Sequence, residues 1–219
     1  TELGYLPIHS AARHGGPDVV RVFVEYANSH PEDGDLVNAQ TNRGFTPLHL
    51  AARKGHAASL EVLVGEGRAD PWIKMEDGLL PIHYAAWYGQ PEAVRFFLKY
   101  NASHPGRGDM LNERDDDGDT PLSCAVLEGD VECVRLLLEA GADVTIANED
   151  GQTPIDLAKN GSEISLCLIR VKYGNTPLHL AAGRRDLDSL KQLLEEDKAS
   201  LWNKAEDGRL PIHTAAQFG

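Results

Sequence analysis

The chain has 219 residues and a mass of 23.9 kDa, is 42% hydrophobic and carries a formal net charge of -13. Its size and apolar content are enough to form a hydrophobic core, whereas the excess of negative charge argues against binding to nucleic acid or to an acidic membrane. No segment approaches the roughly 18 to 20 consecutive apolar residues of a membrane-spanning helix, so we expect no membrane insertion.

The number and spacing of the cysteines indicate the cellular compartment of the protein. Cys124, Cys133 and Cys167 are odd in number, lie in apolar helical patterns and lack the paired spacing of a zinc site. Reduced, buried thiols are therefore favoured, and these are typical of intracellular proteins. We expect a cytoplasmic location, with the nucleus left open.

A short phrase built around proline recurs seven times. The prolines are Pro7, Pro47, Pro81, Pro121, Pro154, Pro177 and Pro211, at successive spacings of 40, 34, 40, 33, 23 and 34 residues. Thr46 before Pro47 shows why the phrase predicts a helix start: threonine offers a capping oxygen, and proline at the first helical position loses no hydrogen bond.

Each phrase leads into a helix pair. Small residues such as Ala51 and Ala52 follow the proline, and then comes a glycine that we expect to end the first helix in the left-handed conformation. The four clearest examples are Gly15, Gly55, Gly89 and Gly129. A second apolar stretch at helical period follows, and a polar link such as residues 76–78 reads as a hairpin tip.

This pattern resembles the ankyrin repeat and covers nearly the whole chain. The resemblance implies an all-α solenoid of stacked helix-turn-helix units with β-hairpin loops, in which hairpins and first helices form a concave surface. We expect about five repeats within residues 1–170, starting at about 1, 41, 75, 115 and 148. No unit can bury its apolar face alone, so neighbours stabilise one another.

Long and short units alternate. The long units insert about six or seven residues between second helix and hairpin, compared with the roughly 33-residue ankyrin period. They also carry Leu6 and Leu80 where the short units have threonine. The missing oxygen should cost about 1 kcal/mol per cap unless another acceptor substitutes.

The interval between Pro154 and Pro177 is too short for a complete unit. We expect the second helix to end near Arg170, followed in residues 171–219 by a further repeat and a partial repeat. Either the hairpin between the two units is deleted within one continuous stack, or a first stack ends near Arg170 and a second begins at Val171; we favour irregular stacking. Both ends look uncapped, which suggests a fragment and predicts self-association through those ends.

No catalytic, cofactor-binding or metal-binding residues are predicted. Five histidines occupy the recurring phrase, and we interpret them as hydrogen-bonding struts between hairpins: His9, His49, His83, His179 and His213. Residues 115–119 resemble part of a calcium loop, but the required terminal glutamate is missing, and a solvated acidic tip is the better interpretation.

The candidate partner-binding residues are those that the ankyrin resemblance implies to be variable and concave. At the ends of the first helices these are Arg13, His14, Arg53, Lys54, Trp87, Tyr88, Leu127 and Glu128; at the hairpin tips they are Asn42, Arg43, Glu76, Asp77, Asp116 and Asp117. Trp87 and Tyr88 fit an interface anchor. The alternative, to which we give equal weight, is that Trp87 packs against a neighbouring first helix.

Two functions are open. The first is a non-enzymatic scaffold or adaptor that binds protein partners on the concave face, in a groove that is basic at its start and acidic at its later tips. The second is the targeting or regulatory arm of a larger enzyme, channel or bacterial effector. The alternative interpretation of these basic and acidic side chains is an ordinary solvated surface of mixed charge with no role in binding.

Overall fold

A computed structural model describes residues 3–159 and 162–173, which form ten α-helices. They are α1 (Pro7–His14), α2 (Pro17–Ser29), α3 (Pro47–Arg53), α4 (Ala57–Glu61), α5 (Pro81–Trp87), α6 (Pro91–Ser103), α7 (Pro121–Glu128), α8 (Val131–Glu139), α9 (Pro154–Leu157) and α10 (Glu163–Tyr173). The helix of α4 continues as a π-helical segment at Val62–Glu66. Every predicted proline in this part of the chain begins a first helix.

The helices form two layers. The odd-numbered helices pack side by side in chain order, and the even-numbered helices do the same behind them. Ala12, Ala52 and Ala86 are fully buried, which allows the close approach of neighbouring first helices. A continuous core lies between the layers, with Leu48, Leu63, Leu80, Ile82, Phe97, Leu122 and Leu137 among its buried side chains. This confirms the all-α stack.

The first helices are capped in two ways. In a short unit the Thr46 hydroxyl accepts the N–H of His49 at 3.4 Å. In a long unit the N–H of His83 instead bonds to the Leu80 carbonyl at 3.0 Å, and Leu6 shows the same arrangement. A backbone acceptor therefore replaces the missing threonine oxygen.

The recurring histidines link each unit to the next. In His9, His49 and His83 the Nδ1 atom accepts the N–H of the residue before the proline, so Nε2 carries the proton. Nε2 of these rings then donates to the carbonyls of Ala39, Leu79 and Glu113 at 2.9, 3.1 and 3.0 Å. The strut interpretation is confirmed for these three, whereas His179 and His213 lie outside the described residues.

The prediction that Gly15 is left-handed is wrong. Gly55, Gly89 and Gly129 have φ values of 69°, 57° and 84°, but Gly15 has φ of -87°. Its N–H bonds to the Ala11 carbonyl at 2.7 Å. Because α1 thus continues to His14, the chain reaches α2 through extended backbone rather than through a left-handed turn.

The links between units are tight turns, and residues 3–159 and 162–173 contain no strand. In one link the N–H of Met75 bonds to the Leu79 carbonyl at 3.1 Å, around Gly78 with φ of 74°. Successive tips are joined by a backbone bond, as between Asp116 N–H and the Asp77 carbonyl at 3.1 Å. The hairpin tips therefore form a connected row along one edge of the stack.

The long units and the last helix differ in detail from expectation. The extra residues lie partly in the second helix, since α2 and α6 have 13 residues and α8 has nine, and partly in the 3-10 turns Pro31–Asp33 and Pro105–Arg107. The last helix within the described residues, α10, runs to Tyr173, past the predicted end near Arg170. Residues 174–219 lie outside the described part, so their irregular stacking stays a prediction.

Candidate protein-binding surface

Two equivalent positions near the end of each first helix form a continuous row, because these helices pack side by side. We call the eight residues at these positions the inner row: Arg13 and His14, Arg53 and Lys54, Trp87 and Tyr88, Leu127 and Glu128. All are exposed except the partly buried Arg13 and Arg53. The structure thus places these eight predicted residues in one row.

An aromatic cluster lies at the centre of the inner row. Trp87 is 43% exposed and Tyr88 is 39% exposed. The Tyr88 ring stacks on Tyr84 of the same helix end, with centroids 5.7 Å apart. The guanidinium carbon of Arg53, at the end of the neighbouring helix α3, lies 4.5 Å from the Tyr88 centroid. Offset ring pairs and guanidinium stacking each add to area burial, so the cluster is ordered before any partner binds.

Tyr84 is the member that sequence reasoning missed. It is partly buried, and its ring packs edge-on against Phe45 at 5.3 Å. Burial raises the pKa of Tyr84, which keeps the phenol neutral. A sequence signal existed, since the corresponding residue in the neighbouring first helices is Leu50 or Cys124, and both are fully buried. A tyrosine in this place is only partly buried, whereas the leucine and the cysteine are enclosed.

The start of the inner row is basic and unpaired. Arg13, Arg53 and Lys54 form no ion pair with any residue in 3–159 or 162–173. The Nε atom of Arg13 is also enclosed without a hydrogen-bond partner among those residues. On the outer helices, by contrast, Arg21 pairs with Glu66 of the next unit at 3.2 Å.

The predicted tip residues are all exposed and flank the inner row. Asn42 and Arg43 form the first tip, Glu76 and Asp77 the second, and Asp116 and Asp117 the third. The tips therefore change from basic to acidic along the stack. This order matches the predicted bipolar charge, whose role in binding stays a prediction.

The acidic third tip is organised around its own backbone. Asp115 Oδ1 accepts the N–H of Asp119 at 2.8 Å, and Asp119 Oδ1 accepts from the Asn148 side chain at 3.3 Å. Burial raises the pKa of Asp115 to about 6 and also raises that of Asp119. No group of three or more His, Cys, Asp or Glu side chains in the described ranges is arranged to hold a metal ion.

One apolar surface lies away from the inner row. Val22 and Tyr26 of α2 are 62% and 45% exposed, and with Leu6 and Phe23 they line a groove of about 520 Å³ at the first unit. This is the end through which self-association is predicted. No helix within the described residues is long and apolar enough to span a membrane.

Comparison with known families and proteins agrees with this architecture. A model of three-copy ankyrin repeats matches residues 61–148 and 82–171, one of many-copy ankyrin repeats matches residues 32–85, and one of the single ankyrin repeat matches residues 173–205. The last match includes residues beyond the described part of the chain.

Several curated proteins are similar to the chain over much of its length. A putative palmitoyltransferase ZDHHC13 of Danio rerio is 31% identical over 186 residues, which is 69% of this chain and 27% of the relative. The E3 ubiquitin-protein ligase KEG of Arabidopsis thaliana is 28% identical over 82% of the chain and 12% of its own length. The transient receptor potential cation channel subfamily A member 1 of Homo sapiens is 28% identical over 99% of the chain and 20% of its own length. The chain thus spans between 12% and 27% of the length of these relatives.

Proposed function

Because the chain belongs to the ankyrin repeat family, whose repeats are generally non-catalytic protein-interaction modules, we propose that it binds a protein partner on the inner row and the adjoining tips. The observation that carries the proposal is the pair of exposed aromatic side chains Trp87 and Tyr88, with the partly buried Arg53 packed on the Tyr88 ring. Tryptophan, tyrosine and arginine dominate the binding energy of protein interfaces. The stack needs no cofactor for this role.

The cluster has the physical properties of an anchor. Exposed aromatic side chains gain burial when a partner covers them, and Tyr88 loses little side-chain entropy on binding because Tyr84 and Arg53 already fix its ring. The neighbouring Leu127 is 47% exposed and extends the apolar area. A partner that covers this area displaces water from one continuous surface of the third and fourth units.

Site-specific photo-cross-linking tests the proposal. A benzoylphenylalanine placed at Lys54, on the inner row, should give discrete adducts with a partner in an extract of cells that express the protein. Lys99 is also an exposed lysine, lies on the outer helix α6 and provides the matched control. The adducts from position 54 should disappear when Trp87→Ala is added, since loss of an anchor costs about 2 kcal/mol or more of binding. Equal adducts from position 99, or adducts that survive Trp87→Ala, would contradict the proposal.

A second candidate function is favoured by the size of the relatives. The chain spans a minor part of proteins named as a palmitoyltransferase, a ubiquitin ligase and a cation channel. In this proposal the repeats are the targeting or regulatory arm of a larger enzyme, channel or bacterial effector, and any chemistry belongs to another domain. The full reading frame decides between the two: an additional catalytic or channel domain supports the arm, and ankyrin repeats alone support the adaptor.

We also propose an intracellular location. Cys124 and Cys133 are free and buried, and Cys167 is free and partly buried. Burial raises the pKa of the Cys124 and Cys133 thiols well above the usual range, so these residues serve as small apolar core groups. Imaging of a tagged chain tests this proposal, and an extracellular signal would contradict it.

A further inference from the structure

We infer that the inner row binds an extended acidic segment in which two carboxylates and one apolar side chain are each three residues apart. The carboxylates face Arg13 and Arg53, and the apolar side chain faces Trp87. This inference rests on the proposed function and names the class of partner for the same surface.

The charges select an acidic partner. The whole chain has a net charge of -13, yet the first two units place only basic or histidine side chains in the inner row: Arg13, His14, Arg53 and Lys54. Most arginines of the outer helices already have carboxylate partners within the chain, such as Arg95 with Glu132. The unpaired guanidinium groups of the inner row are therefore free to bind carboxylates from another polypeptide.

Arg53 is oriented for this contact. Its guanidinium carbon lies over the Tyr88 ring, 4.5 Å from the centroid, and its N–H groups form no hydrogen bond with any residue in 3–159 or 162–173. A planar guanidinium held in this way binds a carboxylate through two parallel hydrogen bonds. Arg13, which occupies the same position one helix earlier, has an enclosed Nε without a partner in the described residues.

The spacing of the helices selects an extended partner. Packed helices lie about 8–10 Å apart, and this distance separates equivalent positions in the inner row. A polyproline II segment advances about 3.1 Å per residue with three residues per turn, so that side chains three residues apart share a face about 9 Å from one another. The partner's three side chains on this face are therefore an acid opposite Arg13, an acid opposite Arg53 and an apolar residue opposite Trp87.

The acidic tips limit the acids to one end of the partner. Glu76 and Asp77 precede the third unit, and Asp116 and Asp117 precede the fourth. A carboxylate beyond the apolar position would lie near these tips and be repelled. The partner therefore carries its acidic residues only where it crosses the first two units.

Selection of random 12-residue peptides displayed on phage, with the 219-residue chain as target, tests the inference. Enriched peptides should contain two acidic residues and one apolar residue at three-residue spacing. A fluorescein-labelled peptide with two glutamates and a leucine separated by Ala-Pro pairs then gives dissociation constants by anisotropy. Arg53→Gln and Arg13→Gln should each weaken binding about tenfold, because each removes a charge-assisted hydrogen bond. The matched Arg21→Gln on the outer helix α2 should leave binding within about twofold of wild type.

The outcomes separate this inference from the proposed function. Enriched peptides that lose binding on Trp87→Ala but lack the spaced acids overturn the inference and leave the proposed function standing. Acids at a spacing of seven residues also overturn it, because a helical ligand advances about 1.5 Å per residue and needs about seven residues per unit. Failure to enrich any peptide counts against a short extended ligand. Peptides that bind the Trp87→Ala and Arg53→Gln variants as tightly as they bind the wild-type chain contradict both the inference and the proposed function.

Discussion

Mild acid should destabilise the stack through His49 and His83. Both rings are fully buried, and burial lowers their pKa values from 6.5 to about 4. Because the folded-state pKa is lowered, the stabilisation is fully present above pH 6.5 and is lost as the pH falls from 6.5 toward 4. At pH 5 the unfolded rings are mostly protonated while the folded rings are mostly neutral.

The size of the effect follows from linkage. A histidine with a pKa of 6.5 unfolded and about 4 folded lowers the free energy of unfolding by about 2 kcal/mol at pH 5 and by about 3 kcal/mol below pH 4. Asp115 acts with the opposite sign in the same range, because its folded-state pKa is raised to about 6 and the folded state takes up a proton first. The comparison of a variant with wild type cancels this second contribution.

His83→Gln isolates one histidine. Glutamine at this helix position can still accept the N–H of Leu80, as in a capping box, but it does not titrate and does not reach the Glu113 carbonyl. We expect the variant to be less stable at pH 8 by about 1–3 kcal/mol. Its further loss between pH 8 and pH 5 should be about 2 kcal/mol smaller than in wild type.

Urea denaturation followed by circular dichroism at pH 8 and pH 5 measures both quantities. His14→Gln is the control, since it replaces a histidine at an exposed position of the inner row rather than in the core. If His83→Gln and wild type lose the same free energy between the two pH values, the buried neutral strut is not what makes the stack acid-sensitive, and the reasoning fails.

Two further predictions compare equivalent positions in the two long units by thermal unfolding. Leu80→Thr should destabilise by about 1–2 kcal/mol despite the added capping oxygen, because Leu80 is fully buried, whereas Leu6→Thr at 36% exposure should be neutral or stabilising by up to about 1 kcal/mol. Effects of the same sign at both positions would contradict this. Gly108→Ala should cost about 1–3 kcal/mol, since its Cβ would lie 2.9 Å from the Trp72 ring at a φ of +120°. Gly34 is the equivalent residue of the first long unit, and a Cβ there would meet no atom within 4 Å, so Gly34→Ala should destabilise less. Equal losses of stability for the two variants would show that the contact with Trp72 does not matter.

The repeat architecture was predictable because its signals are local. Proline at the first helical position and a cap before it act within one turn, so Pro47 and Pro121 each mark a helix start without knowledge of the rest of the fold. The histidine struts followed from repetition, since identical residues at identical places have a structural role. Residues 174–219 carry the same phrase, but lie outside the described part.

What was missed depends on contacts between units. Gly15 has the same sequence position as Gly89, but the continued hydrogen bonding of α1 decides its φ. The stacking of Arg53 on Tyr88 joins neighbouring first helices and has no one-dimensional signature, whereas Tyr84 and Tyr88 are four residues apart at the end of one helix. The predicted residues at the first-helix ends lie in one row because side-by-side packing brings equivalent positions together, and their role in binding stays a prediction.

The most direct test of the account is the affinity of the cross-linked partner, or of the selected peptide, for two matched tyrosine variants. Tyr88 and Tyr26 are 39% and 45% exposed and each stacks on one neighbouring ring, but only Tyr88 lies on the inner row. Titration calorimetry should show binding about 30-fold weaker for Tyr88→Ala, equivalent to about 2 kcal/mol, and nearly unchanged for Tyr26→Ala. Equal losses for both variants, or a loss only for Tyr26→Ala, would contradict binding on the inner row.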